Sequence, residues 1–207
     1  MAKLKGAWNS DESHQAVWVL WLTLVAKTVH GLLVFTCPGI TYESFRISAV
    51  QYANDSPEFQ IFASTVSAAL NLIALHDPRR YQTVRHNIKV IHWEPRYRIH
   101  GSYCRLYRSC SIGFGKHFVD RAVAGSTKIE VADIVLLASL IVHEATHGRI
   151  CAFYVSNERP LRERIERLCC KEEERFMDGL YRHKVFPKVI MKPFTPDRVK
   201  RIFGPYD

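Results

Sequence analysis

The run His143-Glu144-Ala145-Thr146-His147 sets two imidazoles four residues apart, with a carboxylate directly after the first. On an α-helix, residues at that spacing share a face, so both rings can reach one metal ion from about 2 Å. Glu144, one residue along, lies beside such an ion and not on it. From there its carboxylate can take a proton from a metal-activated water and pass it to a leaving amine. Zinc suits this chemistry, because it is redox-silent and lowers the pKa of water from about 15.7 to about 7. The competing reading is a pair of core histidines satisfied by hydrogen bonds. Against it, Leu136, Leu137, Leu140 and Ile141 precede the motif, so two histidines and a glutamate continue an apolar helix, where burial without a metal is costly.

The helix that carries the motif begins near Asp133 and continues through IVLLASLIVHEATHGRICAF, too long a stretch for a strand. Ser156-Asn157 reads as a turn and cap, and Pro160 as the first turn of a second helix reaching Leu180. The apolar stripe of that helix runs through Leu161, Ile165, Leu168, Cys169, Phe176 and Leu180. Upstream, Ser56-Pro57-Glu58 signals a helix ending near His76-Asp77-Pro78, with an apolar face of Phe59, Phe62, Val66, Leu70, Leu72 and Leu75. Lys89 to Trp93, Tyr103 to Ile112 and Thr127 to Val131 read as short strands. The tail beyond Lys184, with Pro187, Pro193, Pro196 and Pro205, holds no long helix and is expected to wrap the surface.

On His143, Glu144 and His147, with a glutamate downstream, the sequence resembles the zincin metallopeptidases, and among them the gluzincin branch. In that branch a glutamate on a following helix is the third zinc ligand. The resemblance covers roughly Val131 to Leu180 and specifies metal and reaction class, not substrate. Eighteen residues separate His147 from Glu166, a spacing similar to that of several gluzincins. Glu173, two turns further on nearly the same face, is the rival; one of the two can bind zinc while the other orients a histidine. Glu172 and Glu174 are weaker candidates, and His183 is a distant substitute. The metzincin branch is disfavoured, because position 153 is Phe153 and not a histidine. The resemblance further implies an oxyanion-stabilising group, for which Tyr154, Tyr181 and His183 are candidates. It also implies an antiparallel edge strand above the metal that pairs with extended peptide, drawn from Cys110 to Val119 or Thr127 to Val131.

The expected architecture is therefore α+β: a zincin-like core with a small antiparallel sheet, the HExxH helix, and a helix carrying the third ligand. Residues 39–207 form this metallohydrolase domain, and residues 1–38 an N-terminal hydrophobic helix. From Ala16 to Cys37 the chain is apolar for about the 20 residues a membrane helix needs, with Trp18 and Trp21 near one end, but Lys27 and His30 interrupt it. A single-pass anchor is the expectation, and a cytoplasmic protein with a docked helix the alternative.

The chain of 207 residues, 47% hydrophobic, is long enough for one sizeable core. Its charge of +9 favours anionic partners or is simply a solvated basic surface. Arg96 to Arg108, with neighbouring aromatics, raises a nucleic-acid surface, but no motif supports one. The six cysteines form no CxxC pair, which argues against a disulfide scaffold, although Cys104 and Cys110 face each other if they flank a hairpin in an oxidising compartment. The expected function is a zinc-dependent hydrolase acting on peptide or protein, with Glu144 as general base. The alternative is a non-catalytic metal-binding, membrane-associated or nucleic-acid-associated protein.

Overall fold

The computed structural model describes residues 37–49, 54–94, 99–114, 130–151 and 159–185. It also describes Trp18, Trp21, Leu22, Val25, Thr28, Val29 and Leu32. The chain divides into two compact units, Met1–Thr36 and Cys37–Asp207. In the first, the described residues are helical, and Trp18, Trp21, Leu22, Val25, Val29 and Leu32 are exposed. Most of the apolar segment 16–37, residues 127–129 of the strand expected at Thr127 to Val131 and the proline-rich tail lie outside the described residues; Glu130 is in no strand and Val131 begins a helix.

The second unit is α+β. In chain order its elements are β1 (Gly39–Tyr42), β2 (Phe45–Ala49), α1 (Pro57–His76), α2 (Pro78–Asn87), β3 (Val90–Glu94), β4 (Ile99–Cys104), β5 (Ser109–Phe114), α3 (Val131–Cys151) and α4 (Arg159–Arg182). The five strands form one sheet in the order β1-β2-β3-β5-β4. The sheet is mixed and not antiparallel as expected: β2 pairs with β3 and β3 with β5 in parallel, while β1 and β4 run antiparallel at the two edges. The reason lies in α1 and α2. A parallel pair needs a crossover of a dozen or more residues, and the two helices between β2 and β3 supply it.

Both crossover helices begin with a capped proline. Ser56 accepts a hydrogen bond from the Phe59 amide at 3.2 Å, and Asp77, which ends α1, caps α2 by accepting from the Arg80 amide at 3.0 Å. The buried face of α1 is Phe59, Phe62, Val66, Leu70 and Ile73. Leu75, assigned to that face from the sequence, is 76% exposed, because the face turns onto Ile73 in the last turn. Phe62 stacks on Trp93 of β3 with ring centres 5.3 Å apart, which ties α1 to the sheet.

The segment Tyr103 to Ile112 is a hairpin and not one strand: β4 turns through Arg105 to Arg108 into β5, with Arg108 in the left-handed region at φ 49°. Its register pairs Tyr103 with Cys110 and Cys104 with Ser109. Cys104 and Cys110 are thus one residue out of register, point to opposite faces of the sheet and are free thiols.

Helix α3 is the hub of the unit, in contact with α1, α2, α4, β4 and β5. Among the described residues, two helices, Pro57–His76 and Val131–Ile150, are long and apolar enough to cross a membrane, yet 50% and 67% of their most apolar stretches are buried inside the fold. Burial at that level is what a core helix of a globular domain requires, so their apolarity has a use without a bilayer.

Candidate metal centre

Val135, Leu137, Ala138, Leu140, Ile141, Val142 and Ala145 bury α3 on several faces. Only a helix surrounded in this way places polar groups in the interior, and α3 carries Glu144 and Thr146 there. Thr146 satisfies its hydroxyl on the Val142 carbonyl at 2.8 Å. His143 and His147 look out from the buried region toward α4 and are half-buried.

Helix α4 buries Cys169, Glu173, Phe176 and Leu180, at spacings of four, three and four residues. Leu168, placed in the stripe from the sequence, is 44% exposed. Glu173 therefore occupies a position that periodicity reserves for an apolar side chain, and a carboxylate buried there needs a partner. Its partner is His143, whose Nδ1 lies 3.1 Å from Glu173 Oε2.

The other nitrogen of His143 completes the geometry. His143 Nε2 and His147 Nε2 are 3.2 Å apart, and the two oxygens of Glu166 lie 3.5 Å and 3.4 Å from them respectively. Donors about 2.0–2.1 Å from one tetrahedral ion stand about 3.3 Å from each other. The carboxylate separations exceed the 2.7–2.9 Å of a charge-assisted hydrogen bond. They match donors that share an ion better than donors that bond to each other.

Sulfur is the donor that sequence reasoning missed. Donor atoms of His143, His147 and Cys169 all lie within 4.8 Å of one another, so these three residues can hold a metal ion. Cys169 hydrogen-bonds His147, and its neighbour Cys170 hydrogen-bonds His143. The signal was present in the spacing, since Cys169 stands three residues after Glu166 and four before Glu173 on one helical face.

Electrostatics follow from burial and proximity. Burial disfavours a charged His143, but the neighbouring Cys170 and Glu166, the hydrogen bond with Glu173 and the charge of Glu144 outweigh that and raise its pKa. Burial also acts against an ionised Glu166, which the two histidines nevertheless hold well below the usual carboxylate range. Glu144 moves the other way. Its burial raises its pKa, Glu166 and Glu173 add to the rise, and the opposing pull of His143 and His147 does not cancel it.

Glu144 lies against β4. A Cβ built on Gly101 would overlap Glu144 Oε1 and stand 2.8 Å from its Cδ, so only glycine lets the strand come this close. Gly101→Ala is therefore expected to displace the Glu144 carboxylate or part β4 from α3, at a cost of about 1–3 kcal/mol that urea unfolding would measure. The strand beside the motif is thus β4, whereas the segment expected from sequence, Cys110 to Val119, begins in β5, an interior strand.

The remaining sequence candidates stand apart from the donor group. His183 sits beside His76, with ring centres 6.5 Å apart, and both it and Tyr181 are exposed. Tyr154 lies outside the described residues. Glu172 pairs with Arg80 and Arg175. Set against family profiles, curated proteins and solved structures, the chain matches none.

Proposed function

We propose that the chain is a zinc-dependent hydrolase of the zincin type that cleaves peptide bonds. One observation carries this reading: two imidazole Nε2 atoms and the Glu166 carboxylate converge at 3.2–3.5 Å, while Glu173 backs His143 from its other nitrogen. His143, His147 and Glu166 would hold the ion. Zinc supplies Lewis acidity there, making water a competent nucleophile at neutral pH.

The chain's own groups do the rest. Glu173 fixes the ring orientation and tautomer of His143, so that Nε2 presents its lone pair to the donor cluster. Glu144 takes the proton from the attacking water and returns it to the leaving amine. Burial raises its pKa above the ordinary carboxylate value, which strengthens it as a proton acceptor. The outer edge of β4 has no strand partner among the described residues, and an extended peptide pairing there would pass beside Glu144. Residues 16–37 would tether the enzyme to a membrane through the apolar side chains exposed in the N-terminal unit. The test is cleavage of a mixed peptide library by purified protein. Activity is expected to vanish on chelation and return with zinc; a zinc-loaded protein that cleaves nothing overturns the reading.

Cys169 favours a second reading, a closed metal site without catalysis, because cysteine is a common fourth ligand of structural zinc and its sulfur is within reach. Cys169→Ala separates the two. An open catalytic site keeps its zinc and its activity, whereas a closed one loses most of its metal affinity and melts at lower temperature.

A further inference from the structure

Away from the donor group, a cleft of about 220 Å³ is lined by Arg79, Arg80 and Thr83 of α2, Arg149 of α3, and Glu172 and Arg175 of α4. Four guanidiniums and one carboxylate thus line the cleft, and a second carboxylate, Asp77, pairs with Arg80 Nη1. Glu172 bridges two of the guanidiniums: Arg80 Nη2 donates to its Oε2 at 2.9 Å and Arg175 Nη1 to its Oε1. Burial alone would raise the pKa of Glu172, but the two arginines hold it below the usual range. Glu172 therefore remains ionised and fixes the orientation of both forks.

The other positive charges are left over. Among the described residues, Arg79 and Arg149 have no acidic partner, and Arg80 Nε is buried with no hydrogen-bond partner. Arg79 and Arg80 also stand in the first turn of α2, the end where the helix dipole favours an anion and opposes a cation. Self-repulsion of this kind is relieved by a bound anion. Planar guanidinium forks match phosphate oxygens in pairs, which lysines or a diffuse basic surface do not.

We propose that this cleft is a binding site for a small phosphate, either free phosphate or the terminal group of a phosphomonoester. Arg149 and Arg79 supply the unspent donors, and Arg80 and Arg175, fixed by Glu172, form the rest of the wall. The site is independent of the metal reading, since none of its residues belongs to the donor group. It does share α3 and α4 with that group, so the ligand would clamp together the two helices that carry the donors.

The test is calorimetry and thermal melting of the full chain with inorganic phosphate, against chloride at equal ionic strength, for wild type and the double variant Arg79→Ala, Arg149→Ala. Saturable binding with a phosphate-specific rise in melting temperature is expected. The double variant should bind at least tenfold more weakly while keeping its metal content. Glycerol 3-phosphate is the second probe. Equal or tighter binding assigns a phosphomonoester and weaker binding assigns free phosphate, each within the proposal. A chloride response equal to that of phosphate overturns it, as does a phosphate response that survives both substitutions. Tighter binding of a single-stranded oligonucleotide, lost in the same variant, overturns it in favour of a nucleic-acid surface.

Discussion

Replacing Glu144 by Gln is expected to cut hydrolysis by about 10²–10⁴-fold, the usual worth of a general base, while zinc remains bound at wild-type stoichiometry. The amide keeps the shape of the carboxylate and its place against Gly101 but cannot accept a proton. Metal content should not change, because Glu144 projects beside the two imidazoles and toward β4, not into the donor cluster. Retention of full activity would remove Glu144 from the mechanism, and loss of zinc would make it a ligand.

The same substitution has a stability signature of opposite sign in the metal-free protein. Glu144 is buried, and its folded pKa is raised above the unfolded value near 4.3. Ionising it therefore opposes folding. That cost is absent below the unfolded pKa, grows as pH rises toward the folded pKa, and is complete above it. Metal-free Glu144→Gln should accordingly be more stable than metal-free wild type at pH 7. The difference should disappear near pH 4, which urea titrations at the two pH values would measure.

The legible parts of the fold were those written in local chemistry. Ser56-Pro57 announced α1, and a similar cap-and-proline pair, Asp77-Pro78, opens α2, although there it reads equally well as the stop of the preceding helix. The sheet's mixed pairing was not legible, because strand direction depends on which elements the crossover passes and not on the alternation within a strand. The Cys104–Cys110 pairing failed for a similar reason: a single residue of register decides the face, and no spacing in the sequence reveals it. In the candidate metal centre, His143, Glu144 and His147 were named from helical spacing, Glu166 from its resemblance to the gluzincin third ligand, and Glu173 as its rival two turns on. Which glutamate faces which nitrogen of His143 could not be read, since both lie on nearly one face of α4: Glu166 lies 3.5 Å from Nε2 and Glu173 lies 3.1 Å from Nδ1.

That division predicts a graded series of metal affinities. His147→Ala is expected to weaken zinc binding most, because it destroys a chelate whose two Nε2 atoms stand 3.2 Å apart. Glu166→Ala comes next, since its oxygens lie 3.4 and 3.5 Å from those nitrogens and have no other ion-pair partner among the described residues. Glu173→Gln should cost only about 10–100-fold, the range for a group that orients a ligand from behind. The amide can still accept from His143 Nδ1 but no longer raises the ring's basicity. Competition for zinc against a chromophoric chelator measures all three. A larger loss for Glu173→Gln than for Glu166→Ala would exchange the roles of the two carboxylates, and undiminished affinity in all three variants would remove the metal from this pair of helices.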